Sequence, residues 1–318
     1  MAGLLDRRLL FVTGKGGVGK TTVATALGLL ASSRRRVLVC EVEPKGDVAA
    51  AFDGEPAGFV PREVARGLSV MEMDTEASLR EYLRLYLRVP MVGRIGPVAR
   101  AFDFVASAAP GVREILTVGK LCYEVREGHF DLVIVDSAAS GHVVGQLAAP
   151  VGINDLVKVG AVRSQTRWML DILQDPAQTG VVVVSTPEEM PVNEAIDLAS
   201  RLGRETGVSL AGLVANRVLP ELFSRGEQEI FDELSAEAGA ERLADALGDC
   251  SVRPVAEVLE AAALAVRIRR SGAEHLERLR SAVEPEVPFL FVPYLFGRSH
   301  GARAVRQVAD ALGEELGA

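Results

Sequence analysis

Residues 12–22 read VTGKGGVGKTT, and the interpretation of the whole chain turns on them. Gly14, Lys15, Gly16, Gly17, Val18, Gly19, Lys20 and Thr21 fit the spacing G-x-x-x-x-G-K-[ST] of a phosphate-binding loop. The motif needs a strand before it and a helix after it. Leu9–Thr13 is a short apolar run with strand character, and TTVATALGLLASS (21–33) has helical character. Glycines let backbone N–H groups turn toward phosphate oxygens, and the amino end of the helix adds partial positive charge. Lys20 is placed to reach β- and γ-phosphates, and Thr21 to set its hydroxyl on Mg²⁺. Thr22 closes the nucleotide-binding stretch. Lys15 is not required by the general motif.

Working outward from this loop, short apolar runs alternate with longer helical patterns. The expected strands are Leu9–Thr13, Val37–Val42, Leu68–Met73, Leu132–Asp136, Val181–Ser185, Leu210–Ala215 and Phe289–Pro293. They are rich in Val, Leu and Ile without polar alternation, as in strands covered on both faces. This predicts an α/β protein of the P-loop NTPase fold: a mostly parallel, twisted sheet flanked by helices. Residues 1–318 read as a single domain with helical insertions at about 75–128, 151–175 and 222–284. In the last of these, Val255, Leu259, Ala262 and Val266 fall on one stripe. Core packing is the simple account of such stripes, and a partner groove the sharper one.

Bulk composition narrows the class. The 318 residues are 48% hydrophobic and 25% charged, with a net charge of −8, which argues against a general nucleic-acid surface. The longest apolar runs, such as LVIVD and GVVVVS, are strand-sized, so no integral membrane segment is expected. The run LLFV leads straight into the glycine loop with no cleavage site, so the expected location is cytoplasmic. Cys40, Cys122 and Cys250 are widely spaced and form no CxxC pair. They suggest buried free thiols rather than a zinc clip or a disulfide framework. The chain has only five lysines, and two of them, Lys15 and Lys20, sit in the loop. An ammonium is a compact point charge for a phosphate, which a guanidinium is not.

With Lys15 included, the loop becomes K-G-G-x-G-K-[ST]. It resembles the deviant Walker A motif of the ATPases that include ArsA, MinD, ParA and nitrogenase iron protein. In that group the early lysine reaches across a dimer interface to the other subunit's nucleotide. A second cation supplied in this way neutralises charge that develops during phosphoryl transfer. The resemblance therefore implies an ATP-dependent dimer using ATP and Mg²⁺, with Lys15 as a catalytic residue acting in trans.

Three further segments are similar to the ArsA family, which includes anion-transporting and tail-anchored-protein-targeting ATPases. VCEVEPKGDVAAAFD (39–53) aligns with its switch I pattern S-T-D-P-A-H-x-L-x-D-x-F. Glu43 stands where the family has the water-positioning aspartate, Gly46 replaces its histidine, and Phe52 closes the match. The extra methylene of Glu43 displaces its carboxylate by roughly 1 Å, enough to cost about 10²-fold in rate. Turnover is thus expected to be slow or dependent on a paralogous partner, with Asp47 as a second candidate carboxylate. FDLVIVDSAASGHVVGQLAAP (130–150) resembles switch II, with Asp136 as the Mg²⁺-side aspartate and Ser137, Gly141 and His142 in place; Ala139 replaces a proline. LAGLVANRV (210–218) puts Asn216 where the family reads adenine with a side-chain amide. Arg217 is placed to stack beside the base, and Pro293 lies in the matching adenine loop, although GRSHG (297–301) departs from the family's continuation.

Switch I and SAAPGVREILTVGK (107–120) look especially like the divergent actinobacterial members, in which two paralogous subunits can pair. The implied partners are a second copy or a paralogous ArsA-like ATPase, together with a protein client or membrane-protein partner. Arsenite or anion efflux is an alternative, but it calls for clustered soft thiolates that the sequence does not place together. A ParA- or MinD-like positioning ATPase is another, but RAVRQVADALGEELGA (303–318) finishes acidic and looks like a closing helix, not a basic membrane-binding one. A nitrogenase-type reductase is not expected, because no cysteine follows Asp136 in DSAASGHVV to share a bridging iron–sulfur cluster. Met91 and Met169 are the only methionines in the helical insertions, so a Met-rich client groove is not evident.

Overall fold

A computed structural model describes residues 3–86, 111–156, 161–236, 239–248, 251–297 and 301–317. All seven expected strands form, two with the expected bounds and five with one end moved by one to three residues. They are β1 (Leu9–Gly14), β2 (Val37–Glu41), β4 (Leu68–Glu72), β5 (Leu132–Asp136), β6 (Thr179–Ser185), β7 (Leu210–Val218) and β8 (Phe289–Pro293). An eighth, β3 (Arg62–Ala65), was not foreseen. It has four residues, two of them charged, and pairs antiparallel with β4 at the sheet edge. A short charged edge strand protects a sheet from pairing with other chains, but has too little apolar pattern to stand out in a sequence.

The sheet order is β3-β4-β2-β5-β1-β6-β7-β8, and every pairing except β3–β4 is parallel. Central strands are buried along their whole length, β1 and β6 among them. This accounts for their unbroken Val/Leu/Ile runs, since both faces must meet apolar helices. On one face lie α1 (Lys20–Ser32), the short α2 (Asp47–Ala50) and α11 (Ala302–Leu316). On the other lie α4 (Val112–Glu127), α5 (Ser140–Leu156), α6 (Ala161–Leu173) and α7 (Glu189–Thr206). Residues 303–316 thus form a helix packed on the sheet through Val305, Val308 and Leu312, as expected.

The insertions resolve into separate helices. The first comprises α3 (Thr75–Tyr86) and α4; the part of that expectation covering 87–110, including Met91, lies outside the described residues. The second begins earlier than its expected start near 151. Its first helix, α5, begins at Ser140 and includes Pro150. Gly141, Gly145 and Pro150 weaken the helical signal there, and tertiary packing overrides them. The third comprises α8 (Arg225–Leu234), α9 (Gly239–Leu247) and the 30-residue α10 (Val252–Ser281). Core packing does not describe its stripe. Val255 is buried, but Leu259, Ala262 and Val266 are half-buried, and Val258, Leu264 and Ile268 are exposed. α9 packs against α10, and α8 packs against α9.

Lys120, one of the five lysines, is buried in the helical layer. Its Nζ lies 2.6 Å from Glu81 on α3 and 2.7 Å from Glu124 on α4. His129 meets the second oxygen of Glu124 at 2.7 Å. Burial alone depresses the Lys120 ammonium, yet its bonds to Glu124 and Glu81 outweigh that and hold it above the ordinary lysine range.

Candidate nucleotide site

Functional residues from distant parts of the sequence meet at the carboxyl ends of the parallel strands, where ligands bind in open α/β sheets. The loop after β1 needs glycine at defined points. Gly14 has φ +151°, and a Cβ there would sit 2.1 Å from the Val184 carbonyl. Gly19 has φ +95°, and its Cβ would fall 2.3 Å from Nδ2 of Asn216. These positions put the backbone in a left-handed turn against neighbours that leave no room for a side chain. Gly16 and Gly17 at the tip are exposed, while Val18 is buried and anchors the loop to the core.

Lys20 opens α1, and its Nζ donates to the Lys15 carbonyl at 3.2 Å, so it curls back over the loop. Burial pulls its ammonium below the usual lysine range, and the nearby Asp136 works against that shift. Thr21 Oγ1 donates to Asp136 Oδ2 at 2.7 Å, which joins two residues 115 positions apart. Thr22 follows in the first turn of α1 and is half-buried. Asp136 ends β5; burial raises its carboxyl above the ordinary range, while the bond from Thr21 and the charge of Lys20 oppose the rise. Asp136 Oδ1 is buried without a hydrogen-bond partner. An orphaned carboxylate oxygen beside a threonine hydroxyl is a fitting donor set for a hard divalent cation. Among the described residues no three His, Cys, Asp or Glu side chains converge as a metal cage, so such a cation would draw its remaining ligands from phosphate and water.

The two switch segments differ in how firmly they are held. Ser137 is buried, and its N–H donates to the Val12 carbonyl at 3.0 Å. Thr13 Oγ1 donates to the Ala138 carbonyl at 3.1 Å. Gly141 and His142 are exposed at the start of α5. Glu43 is more than half exposed and lies 3.5 Å from Lys45. Gly46, at φ +72°, then turns the chain into α2. Glu43, Lys45 and His142 line one cleft of about 1070 Å³ between switch I and α5, together with Arg113 of α4.

Lys15 does not stand free. Its Nζ meets Glu194 Oε1 of α7 at 2.6 Å, and Ser140 Oγ donates to Glu194 Oε2 at 3.0 Å. The bond from Lys15 holds the Glu194 carboxyl below its ordinary range. Asn216 is also engaged within the chain. Its Nδ2 donates to the Val18 carbonyl at 2.7 Å, and its Oδ1 accepts from the Arg217 N–H at 2.9 Å. In this structure the amide expected to read adenine instead braces the phosphate loop. Arg217 is exposed and sits at φ +59°, uncommon for a residue with a side chain. Pro293 ends β8, and the N–H of the next residue, Tyr294, donates to Val218 at 2.9 Å, so Arg217 and Pro293 lie on neighbouring strand ends.

Two further acids, Glu194 and Glu41, lie at this site. Glu194 lies on the polar side of an ordinary helix, and no local pattern marks it. Glu41 ends β2 with 1% exposure and is pushed up to about 7 by burial, against the hydrogen bond it accepts from Val48. A charged residue closing an apolar strand was a usable signal.

The model of the anion-transporting ATPase family matches residues 7–165 and 154–233. Among individual proteins, ATPase BagA of Mycobacterium tuberculosis is 32% identical over 225 residues, 67% of this chain and 66% of that protein. A candidate arsenical pump-driving ATPase of Halobacterium salinarum is 27% identical over 255 residues, 73% of this chain and 38% of that protein. ATPase get3 of Schizosaccharomyces japonicus is 33% identical over 161 residues, 49% of this chain and 48% of that protein. The chain therefore aligns with just under two thirds of the mycobacterial protein and with less than half of the other two.

Proposed function

The chain belongs to the anion-transporting ATPase (ArsA) family, and from that premise we propose that it is a Mg²⁺-dependent ATPase that works as a dimer. Its nucleotide cycle drives a protein client or partner in the cytoplasm. The second subunit is another copy or a paralogous ArsA-like chain. The observation that carries the reading is the Thr21–Asp136 contact of 2.7 Å beside a loop with Lys20 folded over it. It joins a phosphate cradle to a carboxylate with a free oxygen, the minimum a nucleoside triphosphate site needs.

The roles follow from position. Backbone N–H groups of residues 14–22 and the Lys20 ammonium bind the phosphates. Thr21 and Asp136 would hold Mg²⁺, which would supply neutralisation of phosphate charge. Glu43 orients the attacking water; its exposure here is in keeping with a switch that closes when nucleotide enters. Lys15 leaves Glu194 and reaches the partner's nucleotide. Arg217 and Pro293 flank the adenine, with Asn216 at the floor between base and loop.

The test is a pair of lysine variants. Lys20→Ala is expected to abolish ATP binding, read by titration with a fluorescent ATP analogue; retained nanomolar affinity would sink the proposal. Lys15→Ala is expected to keep binding but lose at least tenfold in turnover, the scale of removing one transition-state cation. Unchanged turnover would remove Lys15 from the chemistry and leave a simpler P-loop ATPase.

Arsenical handling is a second reading, favoured by the printed names of the halobacterial relative and of one from Aquifex aeolicus. Against it, Cys40 and Cys122 are fully buried in the sheet core. Arsenite-stimulated ATP turnover would move this reading ahead.

A further inference from the structure

Glu41 has no assigned role in the site above, and its surroundings point to one. Across the β2–β5 ladder its register partner is Asp136. Partners on adjacent parallel strands share a face and lie roughly 4.8 Å apart. That face is the one covered by α1, because Val37 and Val39 ahead of Glu41, and Ile134 ahead of Asp136, pack with Val23 and Leu27 of α1. Glu41, Asp136 and Thr21 therefore converge on one side of the sheet. On the far side of Glu41, its partner across β2–β4 is Glu72, whose Oε1 accepts from the Ala57 N–H at 3.0 Å.

The hydrogen bonds of Glu41 are split. Oε1 accepts from the N–H groups of Asp47 at 3.0 Å and Val48 at 3.3 Å, the first two residues of α2. Oε2 is buried without a partner, as is Asp136 Oδ1 next to it in register. Capping α2 needs only one oxygen, and a glutamine would serve that purpose. Two neighbouring carboxylates, each with a buried unpaired oxygen, repel one another and lack solvation at those atoms. A divalent cation with its bound water offsets both costs, and Mg²⁺ in nucleotide sites is held by one or two carboxylates together with phosphates.

We propose that Glu41 is a second acidic residue of the divalent-cation site, acting beside Asp136 and Thr21 as a positioning residue. Through its other oxygen it ties occupancy of that site to α2, the short helix within switch I. The inference rests on the nucleotide-site reading above. It makes α2 a sensor of the metal rather than of the nucleotide alone.

The experiment measures affinity for a fluorescent ATP analogue in Mg²⁺ and in EDTA, for the wild-type protein and for Glu41→Gln. In the wild type, Mg²⁺ is expected to tighten binding. In Glu41→Gln that gain is expected to shrink about tenfold, the usual scale for an outer-sphere partner of a metal, with EDTA affinity no weaker than wild type. An equal Mg²⁺ gain in both proteins overturns the inference and leaves Glu41 as a helix cap. If the variant fails to fold, amide hydrogen exchange of residues 46–50 in the wild type decides. Slower exchange with Mg²⁺ and analogue than with EDTA and analogue supports the coupling, and identical rates overturn it. A wild type that binds no analogue under either condition overturns the nucleotide reading itself, and this inference with it.

Discussion

The Lys15–Glu194 pair sets the resting position of the residue on which the dimer reading depends. A lysine that must reach another subunit cannot do so while its ammonium is 2.6 Å from a carboxylate of its own chain. The pair is weak enough to give way: both side chains are about one third exposed, and such pairs contribute roughly 0–1 kcal/mol. Glu194, with its pKa lowered by Lys15, favours the folded state above the ordinary carboxylate range, and that small contribution is lost as pH falls through its depressed pKa. Ser140 at the start of α5 holds the same carboxylate, so a shift in switch II would loosen Lys15 as well. Glu194→Gln is accordingly expected to change stability by less than about 1 kcal/mol. It is also expected to let ATP-driven dimers form at lower protein concentration, measured by light scattering with a non-hydrolysable analogue. A dimerisation constant equal to wild type would show that the pair does not restrain Lys15. Lys15, Lys20, Thr21 and Asp136 stand out in the sequence as candidates because phosphate chemistry calls for particular residue types in a loop after one strand and at the end of another. Glu194 does not, because its partner is 179 residues away and it reaches Lys15 only through the packing of α7. The engagement of Asn216 with Val18 was hidden for the same reason.

At the scale of elements, the helices facing switch I are joined by a buried ionic cluster. Lys120 and Glu124 are 8% and 3% exposed, and Glu81 brings α3 to α4. Phe59, in the segment between α2 and β3, lies under the Lys120 ammonium at 4.9 Å. One lysine thus ties two insertion helices to the segment that leads away from switch I. Lys120→Met keeps much of the volume but leaves buried Glu124 with His129 as its remaining side-chain partner. Breaking a buried pair from one side costs about 3–5 kcal/mol, far more than the pair itself contributes. A drop in unfolding free energy of that size in a urea melt is expected, and Lys120→Met/Glu124→Gln is expected to recover part of it. A single variant within 1 kcal/mol of wild type would mean that water reaches the cluster. The existence and order of the core elements could be read from apolar runs, because strands buried on both faces are uniformly apolar. The start of α5 could not, since its glycines and Pro150 lower the propensity that packing then overrides. β3, with only Val64 and Ala65 apolar, is too short to show a pattern.

Taken whole, the molecule gathers its chemistry at one edge of the sheet. β1, β2, β5, β7 and β8 run parallel, so the residues at or just past their carboxyl ends share one side: the loop, Glu43, Asp136, Asn216 and Pro293. The opposite arrangement holds for the thiols. Cys40 and Cys122 lie in the same apolar layer on the α4–α7 face, both fully buried, and burial raises both thiols well above their ordinary range. A soft-metal site needs thiolates that are exposed, deprotonated and close to one another. A buried neutral thiol is inert to thiol reagents until the fold opens. Cys250 lies outside the described residues. The native protein is therefore expected to react with Ellman's reagent at no more than one thiol per chain within minutes, and at all three in guanidinium. Saturating ATP and Mg²⁺ should leave that number unchanged, because the layer holding Cys40 and Cys122 lies across the sheet from α1 and the loop. Fast reaction of two native thiols, or exposure of a second on nucleotide addition, would show that the core face opens during the cycle. It would also bring back a thiolate site for arsenicals, the alternative that the buried positions of Cys40 and Cys122 now oppose.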